Sequence, residues 1–186
     1  MRLAFLLYKY FPYGGMQRDF RRFVEEVQRR GHHCRLYYIS WQGDGIPGAE
    51  LRHVPVRAAT NYRRNERFLD WVQRDLAADP VDGIIGFNKM PGLDVYYAAD
   101  SCYLHKALNE RGRLYRRGHR FRHFAAYEEA IRREYAHVEP ALFRRGRAQI
   151  LEAFLGRRRI YGTDHFHRRY EAVARRNLEG ALGRLH

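Results

Sequence analysis

The sequence predicts an α/β fold, a Rossmann-like parallel sheet with helices on both faces, and three observations predict it. Leu3 to Tyr8 is an unbroken apolar run, which suits a parallel strand buried on both sides. The first forty residues then read as strand, glycine loop, helix and strand, a βαβ unit. Three more strand-like segments and one helix-like segment follow, to about residue 98.

The elements follow in order. Pro12 and Gly14-Gly15 break the chain after the first strand. From Gln17 to Arg30 the apolar residues are Phe20, Phe23, Val24 and Val27, the i, i+3, i+4, i+7 stripe of an amphipathic helix. Gly31 stands where a C-terminal cap belongs. Cys34–Ile39 reads as a second strand and Leu51–Val56 as a third. Residues 64–78 read as a helix with Phe68, Leu69, Val72 and Leu76 on one face. Asp82–Phe87 and Asp94–Ala98 are short strands separated by a Pro91-Gly92 turn. Residues 102–135 read as helical, aromatic and basic, and Ala148–Leu151 as one more strand. A run of arginines at 157–159 precedes a helical tail, roughly 164–182. A length of 186 residues suits one such domain.

The net charge is +14, with 35 Lys and Arg of which only Lys9, Lys89 and Lys106 are lysines. Such a charge attracts polyanions: nucleic acid, anionic lipid or a phosphorylated glycolipid. The arginine bias also has a compositional reading, a GC-rich genome. Cys34 and Cys102 are too few for a disulfide framework, which fits a reducing cytoplasm. The apolar start is short and ends at Lys9, so it reads as neither a signal peptide nor a membrane span. No His or Cys spacing suits a metal, and His32, His33, His119, His123, His165 and His167 read as surface residues.

Three positions carry candidate chemistry. Gly14-Gly15 before a helix lets the backbone approach a ligand, with the helix N-terminus favouring a phosphate. A bare pair is weak evidence, a tight turn without a ligand is its plainer reading, and neither a GxGxxG fingerprint nor a Walker loop is present. Asp19, read on the first turn of that helix, is either dipole compensation or a cleft carboxylate. Asp100 follows a strand, where open α/β sheets place ligand groups, but it also suits a helix cap. Asn88 and Lys89 stand at another strand end.

The strings Tyr8–Phe20 (YKYFPYGGMQRDF), Arg30–His33, Ser40–Asp44 and above all Gly86–Tyr103 (GFNKMPGLDVYYAADSCY) resemble the lipopolysaccharide-core glucosyltransferase I family. The resemblance covers about residues 1–135. It implies the GT-B arrangement, two Rossmann-like domains across a cleft, with this chain matching the N-terminal, acceptor-side domain. It implies a retaining transfer of glucose from UDP-glucose to an inner-core heptose, with no cofactor and no metal. It places Gly14 and Gly15 against the donor, and Asp19 and Asp100 on the acceptor side of the active site, where they are expected to act in catalysis. Lys9, Asn88 and Lys89 are expected against the acceptor, as polar groups available to a polar substrate.

The expected organisation is a domain over 1–150, with a basic arm at 102–135, and an atypical basic tail over 151–186. No donor-binding motif follows, so a separate chain supplying a donor domain, or a non-catalytic remnant, is an expectation too. Between Cys102 and Arg133 nine Lys and Arg face three Glu, with aromatics interleaved. Arg113, Arg116, Arg117 and Arg120 are expected to share one helical face. A solvated face, a nucleic-acid surface and a helix lying on an anionic bilayer all fit this pattern. The resemblance favours the membrane, through Lys106, Arg113, Tyr115, Arg116, Arg117, Arg120 and Phe121, on the cytoplasmic face of the inner membrane.

Overall fold

The computed structural model describes residues 1–97, 103–135 and 160–161. Its centre is a parallel sheet of six strands: β1 (Arg2–Leu6), β3 (His33–Tyr38), β5 (Glu50–His53), β6 (Gly83–Gly86), β7 (Val95–Tyr96) and β8 (Ile160–Tyr161), in the order β5-β3-β1-β6-β7-β8. The register sets Leu3 opposite Cys34 on one side and Gly83 on the other. A second, two-stranded sheet pairs β2 (Lys9–Tyr10) with β4 (Ser40–Trp41) beyond the ends of β1 and β3.

Alternation along β1 separates two cores. Leu3, Phe5 and Leu7 face helix α1 (Gly15–Arg29), whose buried stripe is Phe20, Phe23, Val24 and Val27. Ala4 and Leu6 face the other way, toward Phe68, Leu69 and Val72 of α2 (Asn61–Ala78) and toward Ile131 of α5 (His119–Tyr135). Helices therefore cover both faces, as the unbroken apolar run requires. Burying a side chain of the size of Phe20 or Phe68 stabilises by ~2–3 kcal/mol.

Helix α1 begins two residues earlier than its apolar stripe implies, which puts Asp19 on the second turn rather than the first. Gly31 follows the helix at φ 81°, the left-handed conformation that stops it. Helix α2 starts at Asn61, three residues before its expected start. The expected strand Asp94–Ala98 pairs only at Val95–Tyr96, because Asp94 turns to bond Ile84 by both its backbone N–H and its carboxylate.

The arm is three helices, not one: α3 (Tyr103–Glu110), α4 (Arg113–Arg116) and α5. Gly112 and Gly118 interrupt it. Arg113 and Arg116 lie in α4, Arg117 in the turn and Arg120 in α5, so the expected single arginine face does not form. The arm has its own small core of Leu104, Ala107 and Phe121. The expected strand at 148–151 and the tail helix lie outside the described residues.

Opposite the glycine loop, the amino ends of the strands carry a charge knot around Arg35, which is 4% exposed. Its guanidinium donates to Glu50 (2.8 Å), to the Asp79 carbonyl (2.9 Å) and to the Asp79 carboxylate. Tyr37 beside it donates to Asp75 at 2.6 Å, and burial pushes its hydroxyl up to about 12. A shallow pocket of about 290 Å³ borders the knot.

Candidate active site at the carboxyl ends of the strands

The chain runs from β1 outward to β3 and β5, then returns to lay β6 on the other side of β1. Such a reversal opens a crevice at the carboxyl ends of the two diverging strands, where doubly wound sheets take their ligands. Four stretches meet there: the turn after β1, the loop after β6, Tyr97 after β7, and the start of α1.

The turn after β1 is a built structure. Tyr10 stacks on Trp41 at 4.0 Å, Gln42 N–H donates to Tyr10 O at 3.0 Å, and Pro12 lies against Gly43. Gln17, buried in α1, donates to the Lys9 carbonyl at 3.2 Å. The two glycines differ in what demands them. A Cβ on Gly14 would stand 1.9 Å from Gln17 Oε1 and 2.8 Å from the Phe11 ring, so any side chain there must displace both. A Cβ on Gly15 would meet nothing within 4 Å. Gly15 opens α1 facing free space, and no side chain caps that helix start. Tyr13 beside them is 86% exposed and Lys9 is exposed on the rim.

Asp19 points into the same region and accepts a hydrogen bond from the Tyr97 hydroxyl at 2.8 Å. Tyr97 is itself held by its N–H on Gly86 O (2.8 Å) and by stacking on Phe87 at 4.8 Å. Lys9, Gly14, Gly15 and Asp19 thus all lie on the stretch from β2 to the second turn of α1, tied together through Gln17 and Tyr97. Asp100 lies outside the described residues.

Asn88 and Lys89 serve the frame. Asn88 Oδ1 accepts from Tyr8 N–H at 2.8 Å, tying the end of β1 to the end of β6. Lys89, 13% exposed, pairs with Glu128 of α5, which is 1% exposed. Both are half-buried at the strand end where the sequence puts them, and each also holds a neighbouring element, which local sequence could not show. Tyr97, Gln17 and Glu128 went unnoticed. The first two carry no pattern of their own, and Glu128 lies 24 to 39 residues along the chain from Lys89, Tyr103 and Leu104, which bond to it.

On the arm, Arg117 and Arg120 are exposed, and Leu114 is exposed by 82%. Tyr115 and Arg116 are half-buried; Arg116 donates to Leu108 O at 2.7 Å and Tyr115 shares a 2.8 Å hydrogen bond with Tyr103. Burial first, then that bond, push the Tyr103 hydroxyl well above its usual range. Phe121 is 7% exposed in the arm's core, so it is corrected from a membrane contact to a packing residue. The side chains of Lys106 and Arg113 lie outside the described part. His123 is another correction: its side chain is 9% exposed and its Nδ1 lies 3.0 Å from Glu66. Among the described residues no group of three His, Cys, Asp or Glu could hold a metal ion, and no helix is long and apolar enough to cross a membrane.

A parallel sheet covered on both faces, with a glycine turn and a carboxylate at the carboxyl ends of its strands, defines a Rossmann-like domain. No protein-family model matches the chain. It is 55% identical over 130 residues to the lipopolysaccharide glucosyltransferase WaaG of Escherichia coli (strain K12), a match that takes in 70% of this chain and 35% of that protein. The crystal structure of WaaG, a glycosyltransferase involved in lipopolysaccharide biosynthesis, aligns with a TM-score of 0.73 at 43% identity, over 91% of this chain and 41% of that one. The chain therefore resembles the N-terminal part of WaaG and spans about a third of that relative's length.

Proposed function

We propose that this chain forms the acceptor-side half of a lipopolysaccharide-core glycosyltransferase that moves glucose from UDP-glucose to an inner-core heptose with retention. The observation that carries the reading is the joining of Gly15, open to space at the start of α1, with Asp19, oriented by Tyr97, in a chain 55% identical to WaaG. In this reading the acceptor hydroxyl bonds to the anomeric carbon while the bond from that carbon to the β-phosphate oxygen breaks and UDP leaves. The first turn of α1 offers unpaired N–H groups to the developing phosphate charge. Gly15 lets the donor approach the backbone. Asp19 orients the acceptor hydroxyl and, with Asp100, assists its deprotonation. Lys9 on the rim meets the acceptor's phosphates.

Exposed Arg117, Arg120 and Leu114 lay the arm on the anionic cytoplasmic face of the inner membrane, each cation contributing ~1 kcal/mol. UDP release tests the reading, with UDP-glucose and heptose-terminated lipopolysaccharide as substrates. The expected result is release that needs both substrates and falls by about 100-fold or more in Asp19→Ala. Release indifferent to the acceptor, or to Asp19, sinks it. No release from a folded chain that still binds anionic liposomes limits residues 1–186 to holding the acceptor and the membrane, with the donor site outside them.

A further inference from the structure

Glu128 is a carboxylate that local sequence gives no reason to notice, yet it is the most enclosed charge among the described residues of the arm. Three donors converge on it. Tyr103 N–H reaches Oε1 at 2.5 Å, Leu104 N–H reaches Oε2 at 2.7 Å, and the Lys89 ammonium closes the pair. The two N–H groups are the first of α3 and have no partner within their own helix. A carboxylate there meets the positive end of the helix and satisfies both donors. The ammonium belongs to the loop after β6. Its neighbour Asn88 holds Tyr8 at the end of β1. One buried side chain of α5 thus connects the arm's first helix to the loop that frames the crevice.

We propose that Glu128 is a positioning residue: it locks the start of α3 and the Asn88-Lys89 loop into one rigid edge of the crevice. This rests on the function proposed above for what that crevice does, but not for the lock itself. The chemistry is specific to a carboxylate. Three donors need acceptors, and a glutamine of the same shape offers one oxygen and an NH2 group that must confront a donor. The Lys89 ammonium beside it would lose its pairing with this carboxylate.

Amide hydrogen exchange in the full chain tests the lock, read in Glu128→Gln and in Lys89→Met. In Glu128→Gln, exchange at Tyr103 and Leu104 is expected to rise by about tenfold or more. Exchange at Tyr8 is expected to rise with it, because the Tyr8 N–H is held by Asn88, the neighbour of Lys89. In Lys89→Met, Tyr8 alone is expected to respond, because the carboxylate still holds both α3 amides. A Glu128 that merely caps α3 leaves Tyr8 unchanged in both variants, and that result overturns the proposal. If Glu128→Gln does not fold, the Tyr8 response in Lys89→Met decides the same point. In protein that releases UDP, Glu128→Gln lowers kcat several-fold with the KM for UDP-glucose unchanged. A wild-type chain without UDP release defeats the functional reading and leaves the exchange result to judge the lock.

Discussion

The two ends of the sheet handle charge in opposite ways. At the amino ends, Arg35 is enclosed by Glu50, Asp75 and Asp79, with Arg2 and Arg52 on the same carboxylates. Positive and negative groups there answer one another within one cluster. At the carboxyl ends, Asp19, Asn88 and Lys89 are each bound to a different element, and Gly15 leaves space empty. The first end holds strands together. The second holds a shape open, and its polar groups fix the walls of that opening. The difference shows where a fold takes its stability and where it gives some up.

The sharpest way to break the comparison is Arg35→Met. It removes the buried centre of the knot and leaves Glu50 and Asp79 only their exposed partners Arg52 and Arg2, so urea unfolding is expected to show a loss of about 2–4 kcal/mol, with UDP release little changed below the transition. Gly14→Ala follows. Its methyl must displace Gln17 and the Phe11 ring, and the expected cost is about 1–3 kcal/mol, again from urea midpoints. Gly15→Ala, one residue on, is expected to stabilise by about 0.5–1 kcal/mol, because alanine suits a helix and nothing obstructs it. The same change fills the space proposed for the donor, so turnover is expected to fall while the melting temperature rises. Should Gly15→Ala leave turnover intact, the opening is not the donor's.

A smaller effect comes from His123. Burial lowers its ionisation below the ordinary 6.5, with Glu66 opposing. The neutral ring in the folded state means that its contribution is present above pH 6.5 and is lost as pH falls below it. Between pH 6.5 and 5, wild type is expected to lose about 1–3 °C more in melting temperature than His123→Phe does. The smallest effect is at Cys34, whose thiol burial pushes up to about 12. Peptide mapping after alkylation at pH 8 is expected to find Cys34 unmodified until urea unfolds the chain.

How far the sequence could be read follows from the range of the interactions. The stripe Phe20, Phe23, Val24, Val27 and the run Leu3–Leu7 record local periodicity, and both became the elements they imply. The strands β2 and β4 are two residues each and have no period to detect; the stacking of Tyr10 on Trp41 joins residues 31 apart. In the arm the basic character was plain, but the breaks at Gly112 and Gly118 divided the expected arginine face. Phe121 was read as part of a surface because its neighbours are arginines, whereas Tyr103 and Tyr115 from other helices cover it. At the site, Gly14, Gly15 and Asp19 were legible as a string. Asn88 and Lys89 were legible as positions but not as partners, since Tyr8 lies 80 residues from the first and Glu128 lies 39 residues from the second.

The place of β1 has a consequence for the order of folding. It precedes in the chain both strands that flank it, and its partner β6 ends at Gly86. An apolar segment made early must therefore remain unpaired on that side until some eighty further residues have been synthesised. During that interval Leu3–Leu7 is a bare, sticky stretch of nascent chain. The strand most protected in the finished domain is the one most in need of shelter while the domain is being made.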